Sequence, residues 1–201
     1  MRYGMVIDLL RCVGCSACSA ACRAEQGTPA GISFNKVKIF EIGKYPHAKM
    51  KFVPMPCMHC KEPRCLEVCP TEATHKRDDG IVLINQDECI GCGACIVACP
   101  YGSRDLLREI KSYYEGNSPT PYEKIKQKNF KVGTSVKCNF CLQRLEKGRL
   151  PACVETCPGQ ARTFGDVEDP ESEVSKLLSK HKAVSLKEDE ETEPSVFYIR
   201  I

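Results

Sequence analysis

The chain has 201 residues, contains no Trp and carries a formal net charge of +3. Only 7% of its residues are aromatic whereas 16 are cysteine, so its organic core must be small and another element must help to hold the fold. No apolar stretch reaches the length of a membrane-spanning helix, so we expect no direct membrane span. Because Cys12 follows Met1 so closely, we also expect no signal peptide and no twin-arginine leader.

Four groups of four cysteines follow one another along the chain. Groups one and three share the spacing C-x2-C-x2-C-x3-C, and groups two and four both end in C-x3-C-P. The first spacing is typical of bacterial ferredoxins, in which three close cysteines hold one [4Fe–4S] cubane and the fourth holds its neighbour. Sixteen thiolates suffice for four cubanes, so we predict four [4Fe–4S] clusters. The groups are Cys12, Cys15, Cys18 and Cys22; Cys57, Cys60, Cys65 and Cys69; Cys89, Cys92, Cys95 and Cys99; and Cys138, Cys141, Cys153 and Cys157.

Other uses of these cysteines fit the spacing less well. Disulfides need separations that cysteines two residues apart do not reach easily, and zinc sites use two separated pairs. His59 lies between Cys57 and Cys60, as a Rieske-type ligand would, but every group already has four cysteines. We therefore expect His59 to lie beside a cluster or at the surface without binding iron. Four cubanes of roughly −2 each would bring the net charge to about −5, so the basic pI is no argument for nucleic acid.

The first half of the chain predicts short strands between the cysteine groups. Met5–Asp8 is an apolar run typical of a strand. The turn at Asp78-Asp-Gly80 before Ile81–Ile84 predicts a hairpin, since an Asp-Gly turn beside an apolar β-branched run is a hairpin signal. Gly14, Gly91 and Gly93 lie between predicted ligands, where we expect the backbone to approach the cluster and donate N–H bonds to sulfur.

The second half predicts an insertion, a helix and a final strand. Residues 103–137 mix tyrosines and lysines around two prolines, so we expect a solvated insertion or, alternatively, a docking surface for a partner. Asp169-Pro-Glu171 predicts the N-cap and first turn of a helix that ends at about Lys182. Residues 187–193 are expected to be an acidic, solvated stretch, and Val196–Ile199 is predicted to be a strand.

The cysteine groups form an internal repeat, in which group one aligns with three and group two with four. The predicted hairpin joins groups two and three as in a ferredoxin, so we expect these groups to form one module. Groups one and four must then pair across the chain, with strands from Pro158–Gly165 and Met5–Asp8. The predicted fold class is α+β: two bacterial-ferredoxin-like modules with short hairpins and helices, one of them split across the chain termini. The expected domains are residues 1–50 with 130–201, residues 51–102, and an insertion loop at 103–129.

Helix geometry predicts how the thiols divide among the clusters. Three close cysteines enclose one corner of a cubane, and the fourth, one helical turn further on, points towards the neighbouring cubane. Pairing the groups in chain order, one with two and three with four, is the alternative. The predicted ligand sets are site 1 (Cys12, Cys15, Cys18, Cys157), site 2 (Cys22, Cys138, Cys141, Cys153), site 3 (Cys57, Cys60, Cys65, Cys99) and site 4 (Cys69, Cys89, Cys92, Cys95).

With these groups in place, the chain resembles the four-cluster iron–sulfur subunits of the dimethyl-sulfoxide-reductase family of molybdenum enzymes. The resemblance extends over nearly the whole chain, and the compact subunits of polysulfide, thiosulfate and respiratory arsenate reductases look most similar. Besides the cysteine groups it rests on Gly4-Met-Val-Ile-Asp8, Cys12-Val-Gly-Cys15, Lys137-Cys-Asn-Phe-Cys-Leu-Gln-Arg-Leu-Glu-Lys-Gly148, Pro151-Ala-Cys-Val-Glu-Thr-Cys-Pro158, Phe164-Gly-Asp166 and Phe197-Tyr-Ile-Arg200.

The resemblance implies an electron-transfer subunit of an anaerobic respiratory oxidoreductase of the arsenate, polysulfide or thiosulfate type, and not an enzyme in its own right. It implies a molybdopterin-containing catalytic subunit at site 1 and a quinone-linked membrane anchor subunit at site 4. Some relatives replace the second ligand of group three and carry [3Fe–4S] there, whereas Cys92 is present here, so four cubanes are expected. A soluble polyferredoxin-type electron carrier is the alternative function.

The resemblance also implies a location. Relatives that have no signal of their own are often exported bound to a partner that bears a twin-arginine leader. We therefore expect the chain to be membrane-associated through its partner subunits on the extracytoplasmic side, with a cytoplasmic location as the alternative.

Overall fold

A computed structural model describes residues 1–114, 116 and 118–199 as a mixture of small sheets and short helices. Arg200, the last residue of the closing motif, lies outside the described residues, as do Ile201 and two positions of the predicted insertion, Glu115 and Asn117. The predicted α+β class is confirmed at the level of this mixed content. No helix within the described ranges is long and apolar enough to cross a membrane.

Ten strands and seven α-helices follow one another along the described residues. The strands are β1 (Tyr3–Asp8), β2 (Lys36–Ile42), β3 (Lys49–Met55), β4 (Thr74–Lys76), β5 (Val82–Ile84), β6 (Arg104–Leu106), β7 (Ser135–Lys137), β8 (Arg162–Asp166), β9 (Ala183–Val184) and β10 (Val196–Ile199). The helices are α1 (Ala17–Gln26), α2 (Arg64–Glu67), α3 (Ala94–Val97), α4 (Pro121–Lys126), α5 (Leu142–Leu145), α6 (Ala152–Glu155) and α7 (Glu173–Lys180). Most elements are short because closely spaced cysteines and turns interrupt them.

The largest sheet has four strands in the order β8-β1-β10-β9. The predicted pairing of the N-terminal strand with the segment after Cys157 is confirmed, because β1 runs antiparallel to β8 with Met5 opposite Phe164. The predicted C-terminal strand is also confirmed, and it lies parallel to β1 with Met5 opposite Val196. Helix α7 covers one face of this sheet through Val174.

Three two-stranded sheets complete the strand pairing. The predicted hairpin after Cys69 is confirmed, since β4 pairs antiparallel with β5 and Thr74 lies opposite Ile84. Strands β6 and β7 pair across the insertion, with Arg104 opposite Lys137. The β2–β3 hairpin was not predicted, although the alternation in Lys36-Val-Lys-Ile is a strand signal.

The predicted C-terminal helix exists but begins later than expected. Ser172, and not Asp169, is the N-cap residue of α7, and its hydroxyl accepts a hydrogen bond from the backbone N–H of Ser175. The Asp169 carboxylate instead accepts from the N–H of Glu171. Asp169 and Ser172 can both cap a helix. The helix starts after Ser172, which lies close to the buried Val174.

Two segments expected to be solvated are partly ordered. The insertion contains α4, which Thr120 and Glu123 close with reciprocal hydrogen bonds as a capping box, and Glu123 is buried. The acidic stretch contains a 3-10 helix at Glu188–Glu190, and Thr192 within it is buried against Tyr101. Although both segments are mostly polar, each contains a buried side chain, Glu123 in the first and Thr192 in the second.

Candidate iron–sulfur sites

The loops that carry the first cysteines of each group contain left-handed backbone. Gly14 and Gly91 have φ angles of 69°, and His59 and Phe140 adopt 42° and 52° at the corresponding place in groups two and four. This conformation turns the chain sharply, so that cysteines close in sequence can point into one space. Short helices follow and carry later cysteines: Cys18 and Cys22 lie in α1, Cys65 in α2, Cys95 in α3 and Cys153 in α6.

The structure brings together the four thiols predicted for each of sites 1, 2 and 3. In each case one cavity is lined by three cysteines from one group and one cysteine from a distant group. The site 1 cavity is lined by Cys12, Cys15, Cys18 and Cys157. The site 2 cavity is lined by Cys22, Cys138, Cys141 and Cys153. The site 3 cavity is lined by Cys57, Cys60, Cys65 and Cys99.

Site 4 is assembled in part. Cys89 and Cys95 meet at Ser135, whose backbone N–H donates to Cys89 Sγ at 3.4 Å and whose hydroxyl lies 3.5 Å from Cys95 Sγ. Cys69 lies two residues after α2, which packs against α3, and its Sγ accepts from the N–H of Thr74 at 3.4 Å. Cys92 is exposed. The structure therefore brings Cys89 and Cys95 together. The assignment of Cys69 and Cys92 to site 4 stays a prediction from the sequence.

The donors at these sites fit an iron–sulfur cluster. Backbone N–H groups point at the sulfur of Cys138 from Phe140 and at the sulfur of Cys157 from Ala161, at 3.4 and 3.3 Å. Such donors stabilise anionic sulfur and set reduction potentials. In the described part of the chain, no three His, Cys, Asp or Glu side chains are close enough to hold a single metal ion. Four thiols around a shared cavity form a larger donor set, of the kind that a cubane requires.

Burial keeps several of these thiols protonated unless a metal is bound. Burial raises the pKa of Cys60 to about 12, and the neighbouring Cys57 adds to the rise. The pKa of Cys22 is likewise raised by burial and by Cys138. Thiolate ligands must lose their protons, so cluster insertion supplies the positive charge that favours ionisation and couples to folding.

His59 is buried in the interior beside site 3. Its Nδ1 accepts from the N–H of Val82 at 3.1 Å, and its ring stacks on Phe140. Burial, together with the charges of Lys137 and Arg104, holds the pKa of His59 well below its ordinary value. A neutral ring in this position packs between the loops of two groups.

Three basic residues that the sequence analysis missed are buried near the thiols: Arg104, Lys137 and Arg162. Arg162 donates to the sulfur atoms of Cys18 and Cys153, and Arg104 donates to that of Cys65. The sequence does contain a signal for the two arginines: Arg104 lies five residues after Cys99, and Arg162 lies five residues after Cys157. Burial could not be inferred from that spacing alone.

Comparison with known proteins agrees with this donor chemistry. Models of the 4Fe–4S dicluster domain match residues 11–73, 48–109 and 103–167. The chain is 45% identical to a selenate reductase subunit of Mesobacillus selenatarsenatis, over 99% of this chain and 72% of that protein. It is 40% identical to the arsenate respiratory reductase iron–sulfur subunit of Shewanella sp. strain ANA-3, over 100% of this chain and 97% of that protein. It is 39% identical to a tetrathionate reductase subunit of Salmonella typhimurium, over 98% and 72%.

The chain belongs to the family of iron–sulfur subunits of molybdopterin reductases. The predicted resemblance is therefore confirmed. As a member of this family, the chain is an electron-transfer subunit and not a catalytic one, and its cofactors are [4Fe–4S] clusters.

Proposed function

We propose that this iron–sulfur subunit relays electrons through four [4Fe–4S] clusters between a molybdopterin catalytic subunit and a quinone-linked membrane anchor subunit. When bound, each cluster accepts and releases one electron at a time. The polypeptide must then hold four thiol sets in a row and bring the two ends of that row to partner surfaces. The contacts between residues of successive sites are the observations that carry the proposal.

The contacts between sites support the order 1, 2, 3, 4. Arg162 donates to Cys18 of site 1 and to Cys153 of site 2. Sites 2 and 3 adjoin where His59 stacks on Phe140. Sites 3 and 4 adjoin at Arg104, which donates to Cys65 Sγ and to the hydroxyl of Thr74, whose own N–H bonds Cys69 Sγ.

The same contacts support the ligand sets and the split module. Shared cavities at sites 1 and 2 combine cysteines of groups one and four, and the β1–β8 pairing joins the same two regions of the chain. We therefore propose that groups one and four form one ferredoxin-like module across the chain termini and that groups two and three form the other. Pairing in chain order would place thiols of groups one and two around common cavities instead.

Exposure along the row supports its use as a relay. At site 1, Cys15 is exposed, and Val13, which lines the same cavity, is 64% exposed. At site 4, Cys92 is exposed and the nearby Val97 is 90% exposed. Most thiols of sites 2 and 3 are buried, and none of them is exposed. Apolar side chains around an accessible thiol at each end are suited to contact with partner proteins.

By the pattern of the family, site 1 faces the catalytic subunit and site 4 faces the anchor. We propose the extracytoplasmic side of the membrane as the location, reached by export together with a partner subunit. The relatives named above are subunits of selenate, arsenate and tetrathionate reductases, and an arsenate, polysulfide or thiosulfate type fits this chain. The terminal substrate is bound by the catalytic subunit, so its identity depends on that protein.

Anaerobic purification from the native cell tests this function. We expect about sixteen iron and sixteen acid-labile sulfide per chain, and co-purification with a large molybdopterin protein. A monomer loaded with the same iron content would support the soluble polyferredoxin alternative and contradict the relay. Zinc in place of iron, or about eight irons per chain, would contradict the four-cluster assignment itself.

A further inference from the structure

Four Lys or Arg side chains are buried within the described residues: Arg104, Lys137, Arg144 and Arg162. Arg144 is paired with Glu25 at 2.8 Å and with Glu155. None of the other three forms an ion pair with an Asp or Glu carboxylate inside the described ranges. An uncompensated buried cation is costly, so these three require another source of negative charge.

Arg162 faces the thiols of two neighbouring sites. Its Nη2 lies 3.4 Å from Cys18 Sγ of site 1, and its Nη1 lies 3.5 Å from Cys153 Sγ of site 2. The Asn35 side-chain oxygen accepts a further bond from Nη2 at 2.9 Å. Asn35 thereby orients the guanidinium between the two sites.

Arg104 occupies the corresponding place between sites 3 and 4. Its Nη2 lies 3.0 Å from Cys65 Sγ of site 3, and its Nη1 donates to Thr74 Oγ1 at 3.0 Å. Thr74 is bound through its backbone N–H to Cys69 Sγ of site 4. A hydroxyl therefore orients this guanidinium, as the Asn35 amide orients the other.

Lys137 lies at the remaining junction, between sites 2 and 3. Its ammonium group donates to the carbonyl of Cys138, a site 2 residue, and to the carbonyl of Val82. The N–H of Val82 donates to His59, which lies between Cys57 and Cys60 of site 3. Val82 lines the cavity of site 3, so the ammonium group lies against residues of both sites.

We propose that these three side chains are fixed counter-charges, one at each junction of the row, and that each raises the reduction potentials of the two clusters beside it. The inference rests on the ligand sets of the proposed function. Each oxidised cubane with its four thiolates carries roughly −2, and reduction adds one more negative charge. A buried cation favours the reduced state because its field is poorly screened there. Its attraction to both clusters also offsets part of the repulsion between them when both are reduced.

Potentiometric titration followed by electron paramagnetic resonance tests the proposal on the cluster-loaded chain with its partner subunits. Single Cys→Ser changes, one per site, first assign each signal to its site. Arg162→Gln should then lower the midpoint potentials of sites 1 and 2, Lys137→Met those of sites 2 and 3, and Arg104→Gln those of sites 3 and 4. A purely structural role would cause loss of clusters without this overlapping pattern.

Charge-conserving variants and an exposed cation serve as controls. Arg162→Lys and Lys137→Arg should restore the potentials towards those of the wild-type chain. Lys176→Gln should leave the potentials unchanged, because Lys176 is exposed on α7, which carries no cysteine, and is paired with Glu171 at 3.0 Å. Four intact clusters with unchanged potentials in the three Gln or Met variants would overturn the inference and leave the relay standing. A wrong iron content in the wild-type chain would instead contradict the proposed function.

Discussion

His59 and Phe140 stack with their ring centroids 3.7 Å apart and their planes 23° from parallel. Each ring lies at the same place in its cysteine group, one in Cys57-Met-His-Cys60 and the other in Cys138-Asn-Phe-Cys141. Both residues adopt left-handed backbone. The contact therefore joins groups two and four, and it packs the two halves of the molecule together where sites 2 and 3 adjoin.

Truncation of Phe140 should weaken this junction. Phe140→Ala removes a fully buried ring that contacts His59 and Phe164, and we expect a loss of about 3–5 kcal/mol in the free energy of unfolding. Chemical denaturation of the cluster-loaded chain under anaerobic conditions measures this loss. Phe40→Ala is the matched control: Phe40 is exposed on β2, so its truncation should change stability by less than about 1 kcal/mol. Equal losses of stability in the two variants would contradict the role of Phe140 at this junction.

Cys15 and Cys92 occupy the same position in groups one and three, and both are exposed. Cys92→Ser should perturb the site 4 cluster alone and give a [3Fe–4S] signal or a shifted potential, because ligand identity sets the potential. Cys15→Ser should have the same effect at site 1. In the assembled complex, Cys92→Ser should lower quinol-linked turnover but spare reduction of the catalytic subunit by an artificial donor that acts there. Spectra that show Cys92→Ser and Cys57→Ser acting on one cluster would refute the ligand sets.

Gly91 cannot be replaced without disturbing the backbone that faces it. Its φ is 69°, and a Cβ at this position would overlap the carbonyl oxygen of Gly133. Gly91→Ala should therefore displace the loop that carries Cys89 and Cys92, and iron content should fall by about a quarter. Gly93 has a similar φ of 77° but open space around it, so Gly93→Ala should cost about 1–2 kcal/mol and keep its iron. Metal analysis of both variants checks the prediction, which fails if their iron losses are equal.

Glu123 should make the order of the insertion depend on pH. Its carboxylate accepts from the backbone N–H groups of Thr120 and Tyr113, and these bonds lower its pKa to about 2. Because the pKa is lower in the folded state, the ionised Glu123 stabilises the insertion fully above the pKa of an unfolded glutamate, about 4.3. This stabilisation is lost as pH falls from there towards the pKa of the folded state. The protection of the Tyr113 and Thr120 amides against hydrogen exchange, taken as the intrinsic rate relative to the observed rate at the same pH, should be high and constant from about pH 7 to 5 and should fall below about pH 4.

Two variants separate this effect from general acid damage. In Glu123→Gln these two amides should be less protected at neutral pH, and their protection should no longer depend on pH, because the Gln side chain does not change charge. Lys124→Gln, on the exposed side of α4, should retain the wild-type profile. A Glu123→Gln profile that still follows the wild-type acid response would refute the assignment to this carboxylate.

The sequence by itself determined the cofactor chemistry and the local elements. Cysteine spacing predicts cubane ligation because ligand geometry is local: three thiols within a few residues enclose one corner of a cluster. The turn at Asp78-Asp-Gly80 predicted the β4–β5 hairpin for the same reason, since turn chemistry acts over four residues. The N-cap of α7 was misplaced by three residues because Asp169 and Ser172 are both good caps, and packing decided between them.

Only the tertiary structure decided which charges are buried and which strands become neighbours. Arg162 and Cys18 are 144 residues apart in sequence, and no local pattern indicates that the guanidinium lies between two thiol sets. Strand β10 was recognisable from its composition, but its parallel position beside β1 depends on a register across nearly the whole chain. Burial, stacking and long-range pairing arise from the simultaneous packing of many segments, whereas the identity of a metal ligand is a property of a few residues and their spacing.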